Sequence, residues 1–165
     1  MDITGVGGSP FLTMNLIATK RYVLACVVGA VVSAALVARL STGLSWDNAA
    51  AAGYFALVGL AAQALAHRLP KGGSGAIGFI PFMSALLVAP SLGLVCTVGL
   101  AVLAAEVLQR RVPLKASFNV AQHVLAISLA TLVFESFGGV ALVPGGAVHL
   151  VPFAASFATF LIVNT

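Results

Sequence analysis

Tyr22–Leu40 is a run of 19 residues in which Arg39 is the only charge. A helix of that length is about 28 Å long, close to the ~30 Å hydrocarbon core of a bilayer. It offers no polar face to water, so it does not suit the surface of a soluble domain. Comparable apolar stretches occupy 49–66, 77–89, 91–108, 118–137 and 149–163. Only 7% of the residues are charged, against roughly 25% in a soluble domain, so lipid is expected to form part of the solvent. The expected fold is an all-α integral membrane protein: a bundle of about six transmembrane helices with a cytoplasmic N-terminus.

Charge placement orders the spans. Between Ile77 and Leu108 the first charge is Glu106, and the run is interrupted at Ala89-Pro90-Ser91. Read as two spans, this region puts Lys20, Arg21, Arg68, Lys71, Arg110, Arg111 and Lys115 on the cytoplasmic side, with Arg39 alone outside. Read as one span, it puts the Arg110 cluster outside, against the positive-inside rule. The third span is expected to be short or broken, since its 13 residues include Pro81 and reach only about 20 Å. Asp47 or Asn48 is expected to cap the second helix, and Trp46 suits the headgroup level. Residues 1–19 read as a leader and 20–165 as a single transmembrane domain. Because an apolar run leads straight into Val163-Asn164-Thr165, the chain reads as truncated at its C-terminus.

The net charge of +4 belongs to these topology signals and implies no nucleic-acid partner. Cys26 and Cys96 sit inside apolar stretches without a CxxC or a His beside them, and read as small buried hydrophobes. "GGSGAIGFIPFMSA" before span three and "GGAVHLVPFAAS" before span six share a Gly-Gly pair followed by aliphatic-Pro-Phe. Those spans enter from opposite sides, so the echo would correspond to a three-plus-three inverted repeat of the transporter kind.

Span five opens with unusual chemistry. Asn119, Gln122 and His123 lie three and four residues apart, hence on one helix face. Side chains of this polarity are not satisfied by lipid, so that face is expected to turn toward span four or six, or toward a ligand. Leu125 is expected on the lipid side. Glu106 is four residues before Arg110, which suggests an i,i+4 ion pair, but the short loop also lets it reach the Asn119/His123 face. His149 and Glu135 read as boundary residues. His67 and His123 are assigned to one side and His149 to the other, so no three-ligand metal site is expected. No HExxH, GxSxG, phosphate-binding Gly loop or carboxylate pair is present, so neither enzyme activity nor a cofactor is expected.

The series "RRVPLKASFNVAQHVLAISLATLVFESFGG", with a final span ending "FLIVNT", resembles the membrane-embedded N-terminal sensor regions of bacterial signalling proteins. The matching features are the basic pair, Phe-Asn-x-Ala-Gln at a helix start, Gly-Gly at its far end and Val-Asn near the end of the next span. The resemblance covers about Gly75 to Thr165. In such proteins the multi-span module precedes an HD-GYP, GGDEF or kinase output domain; no such domain is present in this chain. The resemblance implies a multi-pass module of the bacterial inner membrane that passes a packing change to a cytoplasmic signalling domain or to other membrane subunits, with a homodimer as one possible assembly. Two rivals stand beside it: a small transporter or substrate-binding component, and an accessory subunit of a larger membrane complex.

Overall fold

The computed structural model describes residues 10–40, 46–66, 79–142 and 146–164. These form six α-helices and no strand: α1 Pro10–Leu40, α2 Trp46–Ala66, α3 Phe79–Val88, α4 Leu92–Leu108, α5 Pro113–Ser136 and α6 Leu150–Asn164. Two segments, Ile17–Leu40 in α1 and Pro113–Ser136 in α5, are long and apolar enough to cross a membrane; the other apolar helical stretches are shorter. His67, Arg68 and Lys71 lie outside the described residues.

Proline marks where several helices start. Pro10 and Pro113 open α1 and α5, while Pro81 and Pro152 occupy the third positions of α3 and α6. First-turn N–H groups have no partner within the helix, so proline costs nothing there. The helix beginning at Pro10 takes in half of the segment read as a leader, and Lys20 and Arg21 are exposed positions within it. Phe11 to Thr19 contains neither Gly nor Pro to prevent this. α2 begins at Trp46, which places Asp47 and Asn48 inside its first turn instead of at the cap.

α3 has 10 residues and is about 15 Å long. The chain breaks at Ala89-Pro90, and Ser91 restarts it by accepting a hydrogen bond from Leu94 N at 3.4 Å. Leu142 N, from the segment after α5, donates to Leu87 O at 2.7 Å and satisfies a carbonyl at the end of α3.

α4 and α5 end alike. Gly139 N donates to Phe134 O and Gly138 N to Glu135 O, a Schellman pair with Gly138 at φ 73°. At the end of α4, Arg111 N donates to Glu106 O and Arg110 N to Val107 O, with Arg110 at φ 50°. An arginine thus holds the left-handed position that glycine usually takes. This turn folds Arg111 back over the last turn of α4.

α5 is the hub. It packs along α1, α4 and α6, while α2 packs against α3 and α4. Tyr22 lies 5.6 Å from Phe118, centroid to centroid, and Gly29 lies against Leu125, so α1 and α5 run parallel. Leu125 is therefore packed against α1 and does not face outward. From Phe118 to Glu135 no residue of α5 is exposed. The other helices carry large apolar side chains on their outer surfaces, among them Leu24 (62% exposed), Leu57, Ile80, Leu100 and Ile162. Hydroxyls fold back on their own helices: Ser33 to Ala30 O, Thr97 to Leu94 O, Thr131 to Ile127 O and Ser156 to Pro152 O.

The packing also has an approximate two-fold relation. α2 packs on α3 as α5 packs on α6, and α1 lies along α5 as α4 lies along α2. One constant offset carries Arg39 to Arg110, Asn48 to Asn119, Pro81 to Pro152 and Phe82 to Phe153. The α4–α5 contact has no comparable α1–α2 counterpart among the described residues.

Candidate functional site

The polar side chains of α5 meet three different helices. Asn119 Nδ2 donates to Glu106 Oε1 of α4 at 2.8 Å. Gln122 Nε2 donates to Val163 O, in the last turn of α6, at 3.2 Å. His123 Nδ1 lies 2.8 Å from Asn119 O of its own helix. A carbonyl only accepts, so Nδ1 carries the proton and a neutral ring keeps Nε2 as its acceptor. The ring stands edge-on to Phe82 of α3, with centroids 6.3 Å apart. Asn119, Gln122, His123 and Glu106 are thereby brought into one connected region at the end of the bundle where α4 turns into α5.

Glu106 is the chemically conspicuous member. It is 6% exposed, and while Oε1 is held by Asn119, Oε2 is buried without a hydrogen-bond partner among the described residues. The i,i+4 ion pair with Arg110 is not formed. α4 ends at Leu108, and Arg110 is exposed in the turn beyond it, where helical spacing no longer applies. The i,i+4 spacing brings the two side chains together only if helical geometry continues through Arg110, and the left-handed turn there prevents it. Arg111 Nε donates to Gln109 Oε1 at 3.1 Å.

Glu106 and Arg111 line one end of a cavity of about 590 Å³ bounded by α1, α4 and α5. α1 and α4 both pack along α5 but barely touch each other, which leaves the cleft between them. Its walls are aliphatic and largely small, including Ala30, Ala34, Val120 and Ala121. Nothing in the sequence pattern announces this cleft, because it depends on how far apart α1 and α4 sit. The basic residues cluster nearby: Tyr22, next to Lys20 and Arg21, shares a small pocket with Leu114, Lys115 and Phe118. Arg39 lies at the opposite end of α1.

Among the described residues no group of three His, Cys, Asp or Glu converges on a point that could hold a metal ion. Cys26 is half-buried and Cys96 exposed, on different helices. His149 is exposed just before α6, where its carbonyl accepts from Phe153 N. Comparison with protein-family models, curated proteins and solved structures returns no match.

Proposed function

We propose that the chain is a multi-pass helical module of a bacterial inner membrane, in which all six helices lie within the bilayer and α5 passes packing changes to the end of α6. The observation that carries this reading is the pair of bonds from adjacent turns of α5, Asn119 to Glu106 and Gln122 to Val163 O. They tie the last turn of α4 to the last turn of α6 through one rigid helix. A displacement of α4 at Glu106 therefore reaches the end of α6, where a cytoplasmic partner would read it. Membrane residence is supported by the inverted distribution of polarity: apolar side chains outside, polar ones on the enclosed helix. The clustering of Lys20, Arg21, Arg110, Arg111 and Lys115 at one end supports assigning that end to the cytoplasm. α3, too short to span, is supported by α2 and by the bond from Leu142.

Paired spin labels at Val107 and Ile162, exposed positions at the ends of α4 and α6, test the coupling after Cys26 and Cys96 are replaced. The wild-type distance distribution is expected to be narrow, and Gln122→Leu to broaden it. An unchanged distribution would separate α6 from the seam and end this reading. A second reading, a small transporter, is favoured by the two-fold relation of helix packing and its constant sequence offset.

A further inference from the structure

We infer that the cleft between α1, α4 and α5 is a binding site for an amphiphile carrying a primary ammonium group, with Glu106 as the ammonium's acceptor. The inference rests on the membrane reading above and names the ligand class for that module.

Three observations converge on it. First, Glu106 lines the cavity, and its Oε2 is buried with no hydrogen-bond partner among the described residues. A carboxylate removed from water needs a counter-charge or a proton, and its free oxygen is an unused acceptor. Second, Glu106 lies in the last turn of α4, where the helix dipole is negative and a cation is the favoured occupant. Third, apart from Glu106, Arg111 and Ser117 the lining is apolar, and at about 590 Å³ the cavity falls within the range that takes small organic ligands. An ammonium at Oε2 would make a short charge-assisted hydrogen bond, while its chain would lie along Val27, Ala30 and Val124.

The mouth of the cleft points sideways. Val31, Leu103 and Val107 line it and are exposed on the outer surface, so in a bilayer the ligand arrives from the lipid and not from water. Arg111 lines the same end and engages Gln109 instead of Glu106. It is positioned for a phosphate attached near the ammonium, the headgroup of an ethanolamine phospholipid, whereas a simple long-chain amine would not require it. Bound ammonium at Oε2 shares the Glu106 carboxylate with Asn119 at Oε1, which makes the site a natural input to the seam.

The test uses the whole chain in phosphatidylcholine nanodiscs, photolabelled by an alkyl amine with a diazirine in its chain and mapped by mass spectrometry. Labelling is expected on α1, α4 and α5 around the cleft. Dodecylamine should displace the probe about tenfold or more better than dodecanol, the magnitude of one charged hydrogen bond. Glu106→Gln keeps an acceptor for Asn119 but lacks the charge, and should abolish that preference. Phosphatidylethanolamine competition that weakens in Arg111→Gln identifies a phospholipid source, and indifference to Arg111→Gln identifies a free amine. Equal competition by dodecanol, or a preference that survives in Glu106→Gln, overturns the proposal and leaves an apolar cleft with no ammonium site. Carbonate extraction of native membranes is read separately. A chain stripped from the membrane defeats the membrane reading itself, whereas a retained chain without ammonium preference defeats only this inference.

Discussion

Asn119 holds Glu106, and each would be costly without the other. Asn119→Leu removes the only hydrogen bond that the buried Glu106 carboxyl makes among the described residues, and is expected to destabilise the protein by about 2 kcal/mol or more. Glu106→Gln preserves an acceptor and should cost well under half of that. In the double variant Asn119→Leu/Glu106→Leu the losses should not add, because the stranded carboxyl is gone. Reversible unfolding in mixed micelles checks the cycle, and strict additivity would mean that the two residues do not interact. The residues of this site were legible from spacing alone: Asn119, Gln122 and His123 share a face because they are three and four apart. The helices they face, the fourth and sixth, were legible as well, but the particular pairing was not. Whether Glu106 meets Arg110 or Asn119 depends on α4 stopping at Leu108, and no pattern in Val107-Leu108-Gln109-Arg110 announces a Schellman turn with arginine at its left-handed position.

Helix contacts turn on small residues, with unequal tolerance. A Cβ at Gly59 of α2 would collide with the Phe82 ring of α3, which is fully buried and has no room to yield. Gly29 of α1 meets Leu125 only at an ordinary 3.6 Å. Gly59→Ala is therefore expected to lower stability by about 1–3 kcal/mol through overpacking, and Gly29→Ala to be neutral or slightly stabilising through helix propensity. Thermal unfolding of the two variants side by side checks this, and equal behaviour would remove the α2–α3 contact as described. At this scale the element positions follow from hydropathy and proline, and the interruption at Ala89-Pro90 is written in the chain. The start of α1 is not, because the residues after Pro10 carry no breaker and no charge until Lys20. Leu125 was placed outside by counting from the polar face, yet α5 is enclosed on nearly every side, which the periodicity of one helix does not reveal.

For the whole molecule, the central claim is that polarity is turned inside out: α1 faces lipid, and α5, the helix with the polar seam, is enclosed by α1, α4 and α6. Within the Ile17–Leu40 span of α1, only 22% of the most apolar window is buried, far too little for the core helix of a soluble protein. The two helices long and apolar enough to cross a membrane were legible in composition. The hub role of α5 was not, since it arises from contacts between residues far apart in sequence. Spin labels placed singly at Leu24, Val28 and Val31 on α1 and at Asn119, Gln122 and His123 on α5, in lipid bilayers, measure this most directly. Collision with oxygen, which concentrates in lipid, is compared with collision with a water-soluble nickel chelate. The account predicts high oxygen and low nickel accessibility at the three α1 positions, and low accessibility to both at the three α5 positions. Nickel access along α1, or oxygen access at 119, 122 and 123 equal to that of α1, would contradict it.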